Sequence, residues 1–200
     1  MSEPRIRPDK TIADILASGE KLEPLAVYIV FTDWAEKTVD ICIFIRDQVL
    51  AGEAKGRIIT AGVQQHIFYM IHDLLQDLRT DMMLLATAPY EHLLRRLYVH
   101  DAQEIVKHID LVFSNLSQSA SPRVLAHVID ESIATPLLDI VNERASTIES
   151  YEKRKQKESE AMKIITDTQR QTQKEIEQAL AEFKYKSRAV RAKEETLVGV

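Results

Sequence analysis

Residues 24–50, PLAVYIVFTDWAEKTVDICIFIRDQVL, decide the fold. The apolar residues Val27, Phe31, Trp34, Ile41, Ile45 and Val49 recur at a period of about 3.6 residues, with Asp33, Glu36, Lys37, Asp40 and Asp47 opposite them. The β-branched runs VYIVF and VDICIFI also permit a β-hairpin. The polar residues keep helical phase across both runs, however, so one long helix is expected. Pro24 suits its first position, and Gly52 stands where a capping glycine belongs.

Working outward, the helical reading extends along the chain. Residues 11–18 form a short helix candidate, with Thr11 and Asp14 spaced as a capping box and Gly19 as its stop. A second long helix is expected from about Thr60 to Ala88. Its stripe is Ile67, Ile71, Leu74, Leu78, Met82 and Leu85, widened by Phe68, Leu75 and Met83, which suits a central helix touched on several sides. Pro89 opens a third, reaching about Ser117, with Leu94, Leu97, Ile105, Ile109, Val112 and Leu116. After the linker SQSAS, Ser121 and Pro122 read as N-cap and first turn of a fourth. At Pro136 this helix either kinks, or ends near Ala134 so that Thr135 caps a new one.

Composition agrees. A chain of 200 residues with only 5 Gly and 6 Pro lacks the turn residues of an all-β protein. The expected fold is all-α: an antiparallel helical bundle with a long C-terminal helix. The expected organisation is an N-terminal segment (1–20), a bundle body (21–135) and an arm (136–200).

The arm holds the clearest functional signal. After Pro136 there is no Gly or Pro until Gly199. A helix of about 60 residues spans roughly 90 Å at 1.5 Å per residue, too long for a small globule to cover. Leu137, Ile140, Val141 and Ile148 can pack on the body. Beyond Tyr151 a heptad register runs through Lys155, Glu158, Met162, Ile165, Gln169, Thr172, Ile176, Ala179, Phe183, Ser187 and Val190, apolar in patches and polar in the middle. Such a helix is expected to form half of a coiled coil or to meet a partner. Met162, Ile165, Ile176, Leu180, Phe183 and Val190 are the expected partner-binding residues.

Other features exclude or divide function classes. The lone Cys42 makes no intrachain disulfide and no cysteine zinc site. There is no Gly-rich phosphate loop, no GxSxG, HExxH or CxxC. The polar segment 1–10 lacks the apolar region of a signal peptide, and no apolar stretch reaches the ~20 residues of a membrane span; a cytoplasmic protein is expected. Charge is uneven. Residues 1–141 carry 13 Lys and Arg against 20 Asp and Glu, a net −7, whereas residues 142–200 carry a net +2. That is not the concentrated basic field of a nucleic-acid binder. The basic clusters Lys153, Arg154, Lys155, Lys157 and Lys184, Lys186, Arg188, Arg191, Lys193 read first as solvated helix faces with i,i+4 partners. The second is also the surface for an alternative function, electrostatic binding of nucleic acid or anionic membrane.

All six histidines, His66, His72, His92, His100, His108 and His127, fall in the middle helices. The dipeptides His72-Asp73 and His100-Asp101 resemble those of HD-type metal phosphohydrolases, which are all-α. That resemblance implies an alternative function, metal-dependent phosphohydrolysis by His66 or His72, His100, Asp101 and Asp130. The Gly-Lys that commonly follows the pair in that family is replaced by Ala102-Gln103. His100, Glu104 and His108 share one helical face, but eight residues separate the histidines, about 12 Å of rise, so at most two could share an ion. The segment SIATPLLDI (132–140) resembles the helix after the phosphorylated histidine of sensor kinases. Glu131 stands in the histidine's place, so phosphotransfer is not expected. Trp34, Tyr90, Tyr98 and Phe113 read as core aromatics, and Arg95-Arg96 as a weak surface patch. The expected function is therefore non-enzymatic: a helical scaffold or adaptor without cofactor or metal, contacting a protein partner or a second copy through its C-terminal helix.

Overall fold

The computed structural model describes residues 5–56, 59–88, 95–116 and 120–198, with side chains through Glu182. Among these residues there is no strand. Helices α1 (Ile12–Ser18), α2 (Pro24–Ala54) and α3 (Ala61–Thr87) come first. A π-helical turn, Arg95–Val99, leads into α4 (His100–Asn115). Helix α5 (Pro122–Ile129) passes through a second π turn, Asp130–Ala134, into α6 (Thr135–Val198). The hairpin alternative for residues 24–50 is thus set aside. The proposed beginning of a helix at Pro89 lies outside the described residues, as do Tyr90, His92 and Leu94.

Local chemistry sets the helix ends. The Thr11 hydroxyl accepts from the Asp14 amide at 3.2 Å, and the Asp14 carboxylate accepts from the Thr11 amide at 3.0 Å, a complete capping box. Gly19 ends α1 at φ 73°, a left-handed conformation natural to glycine. Thr60 and Ser121 cap α3 and α5 by accepting from the Val63 and Val124 amides, both at 3.4 Å. At the end of α2 the expectation fails: the helix runs through Gly52 to Ala54, and Gly56, at φ 61°, makes the left-handed exit.

The cap anticipated before Pro136 does not form. Thr135 is helical rather than an extended cap, and its amide donates to the carbonyl of Asp130, five residues back. The Thr135 hydroxyl donates to the same carbonyl at 2.9 Å. A proline needs freedom from the hydrogen bond and the carbonyl four residues behind it. The wider π turn supplies that register locally, and the chain stays helical.

The chain divides into two compact units, Met1–Glu149 and Ser150–Val200. In the first, α2 packs chiefly on α5, α3 on α4, and α1 on α3. The core includes Val27, Phe31, Trp34, Ile41, Leu74, Leu78, Ile105, Ile109, Leu125, Ile129 and Ile133, with Leu137 and Ile148 of α6 belonging to it. Ile140 and Val141 pack against it partly buried. Tyr98, in the first π turn, stacks on Phe31 with centroids 5.3 Å apart and donates its hydroxyl to the Pro24 carbonyl at 3.3 Å. Lys37, expected on the polar side of α2, is buried at 8% exposure. Burial lowers the pKa of its ammonium, against the opposing pull of Asp40.

Two charged residues tie the helices together from inside. Asp81, 2% exposed, accepts from the Trp34 indole N–H at 3.0 Å and from the Ala13 amide at 2.9 Å, so one carboxylate holds α1, α2 and α3. Arg144 of α6 donates to the Leu97 carbonyl at 3.2 Å and to Asp101 at 3.1 Å, clamping α6 to the first π turn and α4. On the surface Arg79 of α3 meets Asp110 of α4 at 2.6 Å.

Replacing Asp81 with Ala leaves two donors buried without an acceptor, so a loss of about 2–4 kcal/mol is expected in urea unfolding. Burial holds the Asp81 carboxyl above its ordinary value, against the hydrogen bonds to Ile12, Trp34 and Ala13. A carboxyl raised in the folded state contributes fully below its unfolded pKa and loses that contribution as pH rises through the folded one. The stability of the wild type relative to Asp81→Asn should therefore fall as pH rises from about 4 through that raised value. A flat difference across that range would contradict the assignment.

Candidate functional site

The histidines were one candidate constellation. His72 of α3 sits between two phenylalanines, 6.3 Å from Phe68 and 5.1 Å from Phe113, ring centroid to ring centroid. Its Nδ1 lies 3.6 Å from Asp73. The ring thus serves as packing between α3 and α4. His66, also on α3, is exposed, as is His100 at the start of α4. Asp101 is engaged by Arg144. Asp130 stands on the second π turn, beside α2 and α5. Glu104, between His100 and His108, is held by Lys107, and that hydrogen bond is the chief cause lowering its pKa. Among the described residues no three or more His, Cys, Asp or Glu come together in a group that could hold a metal ion. The set His66 or His72, His100, Asp101 and Asp130 therefore does not form a metal centre there, and the phosphohydrolase resemblance stops at the dipeptides.

A second candidate is a groove of about 610 Å³ where α2 meets α5. Val39, Cys42, Ile43 and Leu50 of α2 supply an apolar side, and Ala126 of α5 lies against Cys42, whose thiol reaches the Ala126 carbonyl at 3.6 Å. Arg46, Arg123, His127 and Asp130 stand around it. These charges are engaged locally: Arg123 with Glu53, His127 with Glu131 at 3.6 Å, and Arg46 with Asp47 at 3.6 Å. Burial, together with the nearby Asp130 charge, pushes the Cys42 pKa up to about 12. Cys42 is a small apolar wall of the groove, as expected for a lone cysteine in an apolar run, and not an activated nucleophile.

The third candidate is α6 itself. Every residue from 153 to 182 is exposed. Among them are Met162 at 63%, Ile164 at 66%, Ile165 at 51%, Ile176 at 55% and Leu180 at 54% exposure. Met162, Ile165 and Ile176 belong to the expected seam, and Leu180, also an expected partner-binding residue, flanks it. Ile164, also exposed, falls on the opposite side of the helix from this seam. Gln169 and Thr172 interrupt the seam between its two apolar patches. Polar and charged residues here form local helix pairs: Arg154 reaches Glu158 at 2.9 Å, and the Gln171 and Gln173 amides donate to Glu175 and Glu177 at 2.9 and 3.3 Å. The side chains of Phe183, Lys184, Lys186, Arg188, Val190, Arg191 and Lys193 lie outside the described residues, so the basic cluster acquires no geometry. No helix among the described residues is long and apolar enough to cross a membrane.

Comparison with protein-family models, curated proteins and solved structures gives no match. The functional reading rests on the chain's own geometry.

A thiol with a pKa near 12 has little thiolate at neutral pH. Cys42 should react with a disulfide reagent at pH 8 more than about tenfold more slowly than a free thiol, and at the ordinary rate after unfolding. Ordinary reactivity in the folded chain would show that the groove opens at Cys42.

Proposed function

We propose that this chain is a helical scaffold or adaptor subunit that acts without chemistry of its own and docks a partner helix on the seam of α6. One observation carries the reading: a run of 30 residues, 153–182, all exposed among the described residues, displays Met162, Ile165, Ile176 and Leu180 at helical spacing. Fully burying a side chain of this kind contributes about 1.5–3 kcal/mol relative to leaving it in water. A long helix without a packed face is marginal in water, since most helical stability in proteins comes from tertiary contacts. A partner helix supplies that face in the helix-in-groove or coiled-coil mode. The body, with its own core, then acts as the folded anchor for the docking helix.

Site-specific photo-cross-linking in the source cell tests this. A benzophenone amino acid at Ile176, on the seam, should give a discrete cross-linked species. The same group at Lys174, on the charged face, should give none. Substituting Met162, Ile165 and Leu180 together with Ser should remove the Ile176 adduct while the body still unfolds at its usual temperature. Equal yields from Ile176 and Lys174, or none from either, would overturn the docking surface.

A further inference from the structure

We infer that the partner helix is α6 of a second copy, packed antiparallel about a two-fold axis that crosses the seam between Arg170 and Gln171. This rests on α6 being a docking surface and adds the identity and direction of what docks. The seam layers in order are Met162, Ile165, Gln169, Thr172, Ile176 and Ala179: two apolar, two polar, two apolar. A symmetric pairing uses the same patch on both chains. Reversal about the midpoint sets Met162 against Ala179, Ile165 against Ile176 and Gln169 against Thr172, and the axis repeats each layer. Apolar thus meets apolar and polar meets polar across these six layers; the next layer out sets Glu158 against Phe183.

Side-chain volume favours this direction over parallel pairing in register. Parallel pairing opposes Met162 to Met162 and Ala179 to Ala179, crowding the layer at one end and hollowing the layer at the other. Antiparallel pairing sets the long side chain over the short one at both ends, the arrangement that interdigitated layers need. Charge agrees. Lys163, Asp167, Arg170, Lys174 and Glu177 all fall on the face away from the seam. The positions flanking it, Ala161, Thr166, Thr168, Gln173, Glu175, Leu180 and Glu182, hold two charges, Glu175 and Glu182. Antiparallel packing brings these beside the second copy's Thr168 and Ala161, so no carboxylate faces another. Parallel packing puts Glu175 against Leu180.

Hydrogen bonding supplies an independent observation. The Thr166 and Thr168 hydroxyls donate back to the carbonyls of Met162 and Ile164, at 2.9 and 2.8 Å. Gln171 and Gln173 donate to glutamates one turn on. The two polar seam residues, Gln169 and Thr172, make no such bond among the described residues. Their amide and hydroxyl are left for each other across the axis, where one donor and one acceptor per layer fix the register much as a single buried polar position does in a coiled coil.

The test uses the purified full chain with Cys42→Ala. Light scattering at micromolar concentration should report twice the 22.8 kDa chain mass, and Ile165→Glu should return it to one chain with the body's thermal unfolding unchanged. Chains carrying Ile165→Cys should form a disulfide with chains carrying Ile176→Cys, and neither should do so alone. In the antiparallel pair two copies of position 165 lie 11 residues apart along the axis, about 16 Å at 1.5 Å per residue, beyond disulfide reach. Disulfide formation by Ile165→Cys alone means a parallel pair and overturns the inference. A single-chain mass overturns it as well. If an Ile176 photo-adduct of different mass still forms in the cell, docking on α6 stands and only the second copy is wrong. If no adduct forms, both fall.

Discussion

The fold turns on a carboxylate out of water. Asp81 sits on α3 at 2% exposure, and burial is costly for a charge unless it is hydrogen-bonded. Its partners come from two other helices, the Trp34 indole of α2 and the Ala13 amide of α1. The arrangement makes sense at α1. A helix of seven residues is too short to persist alone, and its first turn leaves amides without helical acceptors. The capping box takes two of them, those of Thr11 and Asp14. Asp81 takes the Ala13 amide between, and the positive end of the helix dipole favours an acceptor there. Ile12 and Ile15 are fully buried as a result. Without α1 the carboxylate would lose an acceptor role and keep its burial; without Asp81 the short helix would lose its polar tether.

Much of this was legible because the signals are local. A threonine three residues before an acid, a serine before a proline, or a glycine after a helical stretch acts within one turn, so Thr11, Ser121 and Gly19 could be read from neighbours alone. Gly52 misled for the same reason. Glycine permits a left-handed exit without imposing one, and the choice between Gly52 and Gly56 falls to packing farther along α2. Pro136 required the register of two turns at once. The π turn that accommodates it depends on Ile133, Ala134 and Leu137 all being buried against the body, which no local rule contains.

Asp81 and Arg144 were missed although a pattern points to each. Asp81 falls in phase with Leu74, Leu78 and Leu85, and Arg144 with Leu137, Val141 and Ile148, so both charges ride on an apolar stripe. The apolar residues were read and the charges among them passed over, because a charged residue is ordinarily exposed. What decides its fate is whether the facing helix carries donors or acceptors to meet it. Trp34 and Asp101 do so here, and each is remote in the sequence. The histidines err in the other direction. A His-Asp dipeptide suggests ligand chemistry, yet ligation requires convergence of several helices on a point, and α3 instead uses His72 as a packing ring between Phe68 and Phe113.

The same logic, carried to α6, separates its two parts. Along residues 137–148 an apolar stripe with one charge in it is completed within the chain: Leu137 and Ile148 are buried, and Arg144 finds Leu97 and Asp101. Along residues 162–179 a stripe of the same period, with Gln169 and Thr172 in it, is exposed among the described residues. Both segments belong to one unbroken helix, so helix propensity does not distinguish them. The difference is supply. The body offers an apolar surface and matching polar groups to the first segment. Under the docking proposed above, a stripe that keeps its period while exposed is specified against a partner's surface. The polar residues at its centre limit which surface that can be, because an amide and a hydroxyl facing a wholly apolar partner would each lose water without gaining a hydrogen bond.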